Sequence, residues 1–231
     1  MTNPLHNSQS LKKISIFKGL QETDYLKIFQ KGKISVYNKN SILAHQGEEM
    51  REVYFILEGK VKIFQIGEDG NQILLRVIGP GQPLAAVAVL ENSSLPATAH
   101  ALQKTVVFSL KKDTLLEVMS QYAVVGLQIT QLLLKRIAEL QQRLREMATE
   151  RVEKRIARTL LRFAKSHGLV QKEGLLIDFP LTRQDLAEFT GTTLFTVSRL
   201  LKSWEEGGII LSGRKKIIIY KSEALKSFLE D

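Results

Sequence analysis

Leu133, Ile137, Leu140, Leu144 and Met147 recur at intervals of four, three, four and three residues, which places all five along one seam of an α-helix. The helical pattern covers residues 115–147, and a helix of about 30 residues at 1.5 Å each is roughly 45 Å long, longer than a small β-domain is wide. Such a helix separates the N-terminal part of the chain from the C-terminal part and leaves its seam in need of a partner. The seam has two uses, covering its own domain's core or pairing in a coiled coil; Lys135, Glu139, Arg143 and Glu146 along its flanks favour the second, a dimer.

Before the helix the period is two rather than 3.6. After a polar stretch at residues 1–10, the pattern at 11–30 predicts a short helix, a turn and a second helix at about 23–30. Residues 33–37, 41–45, 53–57, 61–66, 72–78 and 105–110 are then short β-branched and aromatic runs, punctuated by Gly47, Gly59, Gly67, Gly70, Gly79 and Gly81. This predicts an antiparallel sandwich or barrel, with a hairpin tip at Glu68-Asp69-Gly70-Asn71.

Beyond the long helix, residues 151–165 form a helix with Val152, Ile156, Leu160, Leu161 and Phe163 available for burial, and a strand follows at 175–179. Residues 182–208 predict two short helices about a tight turn. Thr182 and Asp185 have capping-box spacing, Leu186, Ala187 and Phe189 supply a buried side, and Gly191 permits the turn. Thr192 or Thr193 then caps a second helix with Val197, Leu200, Leu201 and Trp204 at helical spacing. This is a helix-turn-helix, whose second helix enters the DNA major groove; by periodicity alone an ordinary helical hairpin of an enzyme fits as well. Residues 209–211 and 216–220 flank Ser212-Gly213-Arg214 and form a hairpin, a wing, whose Arg214, Lys215 and Lys216 face phosphate.

Charge agrees with that placement. Of a net +9 over 231 residues, residues 151–231 carry 15 Lys and Arg against 10 Asp and Glu, while 1–115 carry 14 against 10 and 116–150 carry 4 against 4. The basic excess per residue is greatest at the C-terminal end, as a polyanion-binding surface requires. The chain has no cysteine, which excludes disulfides, thiolate zinc and cysteine-held iron–sulfur clusters. The polar N-terminus and the lack of an apolar run of about 18 residues predict a cytoplasmic protein without a membrane partner. No Walker, HExxH or GxSxG motif is present and the four histidines lack metal-ligand spacing, so no catalytic residue or metal site is assigned.

The order of parts resembles the cyclic-AMP receptor and fumarate–nitrate regulator (CRP/FNR) superfamily of bacterial transcription factors. The resemblance rests on VYFILEGKVKIF at 53–64, RVEKRIARTLLRFAKS at 151–166, LTRQDLAEFTGTTLFTVSRLLKSWEEGGII at 181–210, and the wing. It implies an α+β chain: an antiparallel β-roll of the cyclic-nucleotide-binding kind over residues 1–114, a dimerisation helix over 115–147, and a winged helix-turn-helix over 148–231. It implies a homodimeric, effector-gated regulator of double-stranded DNA that meets RNA polymerase, with the bend at 148–150 as hinge. The alternative is a sensor subunit of the same β-roll type that binds no DNA.

Carried over residue by residue, the resemblance makes Arg199 the reader of a guanine edge, with Ser198 beside it and Lys202 one turn on. Thr182, Arg183, Gln184, Thr192 and Thr193 open the two helices, where hydroxyls and amides suit phosphate. Many members place a glutamate four residues before that arginine to accept from cytosine; this chain has Phe195, preceded by Leu194. Either touches a thymine methyl, or Phe195 is buried in its own domain.

The effector loop departs further. Ala85-Ala86 stands where cyclic-nucleotide binders have Gly-Glu for the ribose, and Pro96-Ala97 where they have Arg-Ser for the phosphate. On the long helix Leu140 and Gln141 replace a hydroxyl pair at the base. These differences predict no tight binding of cyclic AMP, because a buried phosphate needs cations or donors. The remaining lining is apolar: Leu84, Ala85, Ala86, Val87, Pro96 and Ala97, with Leu140 from the helix. It would suit an apolar effector or a haem, for which His45 and His100 are the candidate ligands in this domain, or it simply packs shut.

Overall fold

The computed structural model describes residues 10–68, 70 and 72–230. The chain divides into two compact units, Met1–Ala138 and Glu139–Asp231. The polar stretch expected at residues 1–10 lies, except for Ser10, outside the described residues, as do Asp69 and Asn71 of the expected hairpin tip.

In the first unit a 3-10 turn, Ser15–Phe17, stands where the first short helix was expected, and α1 spans Glu22–Lys31. The strands are β1 (Lys33–Tyr37), β2 (Ile42–Ala44), β3 (Glu52–Glu58), β4 (Val61–Ile66), β5 (Gln72–Ile78), β6 (Pro83–Leu84), β7 (Thr98–Ala101) and β8 (Thr105–Lys111), with α2 (Ala86–Glu91) between β6 and β7. They form two four-stranded antiparallel sheets, ordered β1-β8-β3-β6 and β2-β7-β4-β5.

Alternation along β3 serves two cores. Ile56 joins Ile63, Ile78, Ala99 and Val107 between the sheets. Val53, Phe55 and Leu57 face the other way, into a core with Phe17, Ile28, Phe108, Leu115, Val125 and Ile129. A strand buried on both faces reads as the near-continuous apolar run that 53–57 shows. At the β3–β4 turn Gly59 has φ +92°, and a Cβ there would lie 2.5 Å from Thr105 Oγ1 and 2.6 Å from Lys104 O, so both backbone angle and space require glycine. Sequence patterning missed β7 because Thr98-Ala-His-Ala101 has little strand propensity; pairing with β2 on one side and β4 on the other makes it a strand.

The helical stretch from residue 115 is not one helix. α3 (Lys112–Gln121) ends at Tyr122, and α4 runs Ala123–Thr149. Tyr122 leaves helical geometry (φ −125°, ψ 88°), and its hydroxyl donates to Asp24 Oδ1 on α1 at 2.9 Å. Leu133 also departs from the seam: it is half-buried and packs against the first unit's core. Ile137, Leu140 and Leu144 are 51%, 65% and 71% exposed, and Leu127 and Leu134 are exposed on the flank of this stripe. No helix of the described residues is long and apolar enough to cross a membrane.

The second unit begins within α4. It continues through α5 (Val152–His167), β9 (Gly168–Gln171), β10 (Gly174–Ile177), α6 (Arg183–Thr190), α7 (Leu194–Glu206), β11 (Ile210–Gly213), β12 (Lys216–Ile219) and α8 (Ser222–Ser227). The sheet order is β11-β12-β10-β9. β10 stops at Ile177, short of the expected 179, because Phe179 turns inward to meet the Phe163 ring edge-on at 5.2 Å.

The α4–α5 bend, expected as a hinge, is crossed by ion pairs. Glu146, with only 3% of its side chain exposed, accepts from Arg162 at 2.9 Å and lies 3.5 Å from Arg158. Arg158 also holds Glu150 at 2.8 Å. The last turns of α4 therefore belong to the same packed unit as α5, and Arg143 stacks on the Phe189 ring at 3.7 Å while donating to the Phe189 carbonyl at 2.7 Å. Burial, reinforced by neighbouring Arg162, pulls Arg143 below the usual guanidinium range, with Glu146 acting in the opposite sense.

Candidate nucleic-acid interface

Thr182 and Asp185 form the expected capping box at the start of α6. The Asp185 amide donates to Thr182 Oγ1 at 2.9 Å, and the Thr182 amide donates to Asp185 Oδ2 at 3.0 Å. Two backbone donors that a helix start leaves open are thereby satisfied. At the other end Gly191 adopts the left-handed conformation (φ 60°, ψ 50°), and Thr192 N donates to Ala187 O at 2.9 Å. A Cβ on Gly191 would also lie 2.7 Å from Met147 Cε, so the turn admits no side chain there without displacing Met147 near the end of α4.

The turn is held by a residue that periodicity alone did not single out. Arg155 on α5 donates to Thr190 O at 2.9 Å, Gly191 O at 3.2 Å and Glu150 O at 2.8 Å. A guanidinium on the open carbonyls at a helix C-terminus satisfies them and offsets the negative end of the helix dipole. The only sequence signal was a run of arginines interleaved with apolar residues at 151–162.

Thr193, not Thr192, caps α7: its hydroxyl accepts from Thr196 N at 3.2 Å. α7 then buries Val197, Leu201 and Trp204, at 0%, 0% and 2% exposure. At 100° per residue the opposite side carries Phe195, Arg199 and Lys202, all exposed, with half-buried Ser198 at its edge. Phe195 is 77% exposed and Leu194 is 48% exposed, so the alternative of a Phe195 buried in its own domain is ruled out.

Arg183 and Gln184 are exposed at the start of α6. Arg183 Nη2 donates to Ser212 Oγ at 3.0 Å, tying α6 to the wing, and Gln184 donates to Glu188 at 2.8 Å. The wing is β11–β12, closed by Arg214 and Lys215 with Gly213 paired to Lys216. Arg214, Lys215 and Lys216 are exposed, and Lys215 has φ +59°.

The first unit holds a separate cavity of about 380 Å³. Leu84, Ala85, Ala86, Val87, Pro96 and Ala97 all line it, as expected, and Leu140 does not. One wall comes from Ile129, Leu132, Leu133 and Arg136 of α4, and Arg76 and Glu91 bring further charge to a largely apolar lining. These α4 and charged contributors were missed because the chain brings them together from β5, α2 and α4. Ala85 is left-handed (φ 66°) although it is not glycine. His45 is exposed, His100 lies in β7, and neither lines the cavity. The lining contains no other haem-ligand type, so this cavity does not fit a haem iron. Among the described residues no group of three or more His, Cys, Asp or Glu is placed to hold a metal ion.

Comparison with known proteins matches both units. The family model of the cyclic nucleotide-binding domain matches residues 34–122, and that of the Crp-like helix-turn-helix domain matches residues 154–228. The chain belongs to the CRP/FNR superfamily. It is a DNA-binding transcriptional regulator, not an enzyme, in a family whose members act as homodimers. This regulator is 23% identical over 215 residues to the CRP-like cAMP-activated global transcriptional regulator of Mycobacterium tuberculosis, covering 93% of this chain and 96% of that protein. It is 26% identical over 219 residues to the cyclic AMP receptor protein of Thermus thermophilus, covering 94% and 97%. A CRP-family regulator of known structure from Thermus thermophilus shares the fold, with a TM-score of 0.72 at 22% identity over 85% of this chain and 97% of the other.

Proposed function

We propose that this regulator works in the cytoplasm as a homodimer that reads a pseudo-palindromic operator, with its affinity set by an effector in the β-roll cavity. Ile137, Leu140 and Leu144, with Met147 at the end of the stripe, form the dimer contact, and RNA polymerase is the protein partner at the promoter. The observation that carries the reading is the division of α7 into a buried face and an opposite face bearing Arg199 and Lys202. That is what a helix laid in the major groove requires, and the exposed cations of the wing, Arg214, Lys215 and Lys216, support phosphate contacts beside it. Arg199 reads guanine O6 and N7, Ser198 supports it, and Thr182, Arg183, Gln184, Thr192, Thr193, Lys202, Arg214, Lys215 and Lys216 set position on the backbone.

Gating is carried by α4. Ile129, Leu132, Leu133 and Arg136 line the cavity, while Arg143 and Glu146 of the same helix are fixed to α6 and α5. An effector that shifts the first group displaces the second, and two recognition helices must stay about 34 Å apart to read successive turns of DNA.

Arg199→Ala weakens operator binding by about 1–3 kcal/mol, some 5- to 150-fold, and relaxes selectivity at one base pair. Fluorescence anisotropy on an operator selected from random DNA, and on variants at that pair, measures both; unchanged affinity would remove Arg199 from the reading surface. The relatives named for cyclic AMP do not transfer that ligand to this chain, because Ala85, Ala86, Pro96 and Ala97 provide no side-chain polar group at the four positions expected to hold ribose and phosphate, and the lining's Arg76, Glu91 and Arg136 stand at other positions. Isothermal titration with cyclic AMP accordingly shows no binding at micromolar concentrations, and a micromolar or tighter constant would overturn this.

A further inference from the structure

Phe195 and Leu194 are 77% and 48% exposed at the entry of α7, and neither belongs to the core that Val197, Leu201 and Trp204 make on the other side. A single exposed apolar residue needs no explanation on most surfaces. Here the position supplies one. Phe195 precedes Arg199 by four residues, so the two stand one above the other on the outward face of α7. Four residues of helix rise about 6 Å. Stacked base pairs are about 3.4 Å apart, so Phe195 meets the groove one or two base pairs from the guanine that Arg199 reads.

Base edges in the major groove present donors and acceptors, with one apolar exception, the C5 methyl of thymine. A phenyl ring pressed on an amine or carbonyl edge strips that group of water and returns no partner. Against the thymine methyl the same ring buries apolar surface on both sides. We propose that Phe195, flanked by Leu194, is a specificity residue that reads the C5 methyl of a pyrimidine, so that each operator half-site carries a thymine one or two base pairs from the Arg199 guanine. The proposal rests on α7 being the groove-facing helix. It has a corollary: 5-methylcytosine offers the same methyl and is accepted at this position where cytosine is not.

The test uses the full-length protein. Half-sites are selected from random DNA, with and without the small-molecule fraction of a cell extract, and one selected operator is resynthesised with deoxyuridine for that thymine, which removes the methyl alone. Loss of one buried methyl group weakens binding about 4-fold in one half-site and about 16-fold in both. In Phe195→Ala, which removes no core contact, thymine and deoxyuridine duplexes bind alike, whereas Phe195→Leu keeps part of the difference. Phe195→Glu moves the selected base from thymine to cytosine, whose amine the carboxylate accepts. Equal binding of thymine and deoxyuridine duplexes by the unmodified protein overturns the proposal, as does a selected half-site with no thymine on either strand within two base pairs of the guanine. If Arg199→Ala and Phe195→Ala both leave specific binding untouched, the groove-facing role of α7 has failed instead, and the methyl reading falls with it.

Discussion

His100 sits in β7 opposite Lys62 of β4. Burial, with Lys62 nearby, lowers its pKa from the ordinary 6.5, and the backbone contact with Asn40 only partly opposes this. A histidine with a lowered folded pKa binds fewer protons in the folded than in the unfolded chain. Its penalty is absent above pH 6.5 and grows as pH falls from 6.5 toward the folded value. Urea unfolding at about pH 7.5 and about pH 5.5 should show a loss of stability on acidification that His100→Asn reduces; an identical loss in both proteins would place the titration elsewhere. At this scale the capping box was fully legible, because Thr182 and Asp185 act over three residues of one local turn. The exposure of Phe195 was not, because burial depends on which neighbours the tertiary fold brings.

At the scale of elements, α4 runs from the cavity wall of the first unit into the packing of the second. Its end is fixed by Glu146, whose carboxylate lies among Arg162, Arg158 and Gln142. Breaking a fully buried ion pair costs roughly 3–5 kcal/mol; with Arg158 and Arg162 partly in solvent, Glu146→Ala costs about 2 kcal/mol. Chemical unfolding of the full-length protein measures this, and an unchanged midpoint would show that the network adds no stability. The helix itself was visible as a heptad-like seam, but its break at Tyr122 was not. A tyrosine in a helical pattern gives no warning that its hydroxyl will be claimed by Asp24, ninety-eight positions earlier. Leu133 likewise fitted the seam by spacing, and only packing sends it to the cavity.

For the whole molecule, assembly is proposed to run through the exposed stripe of α4. Ile137, Leu140 and Leu144 are too apolar and too contiguous to be left in water along a helix face. Leu140→Asp combined with Leu144→Asp removes that seam without touching either core. Analytical ultracentrifugation should find a monomer with native helix content, and specific operator binding should fall with it, since one winged helix then reads one half-site. A dimer that survives both substitutions would assign the contact to another surface.

Local chemistry determined much of this protein in its sequence. Glycine spacing and period-two runs specified the β-roll, the seam specified a long helix, and caps, glycine and a basic hairpin specified the winged reader. Each signal acts over a few residues, where backbone geometry and side-chain period suffice. Tertiary structure alone decided where distant residues meet. It set Arg155 on the carbonyls of the α6–α7 turn, gathered Arg76, Glu91 and Arg136 around the cavity, moved His45 and His100 away from its lining, and left Phe195 in solvent beside Arg199. The physical reason is that burial and ion pairing are properties of surfaces assembled from several elements, and no window along the chain contains them.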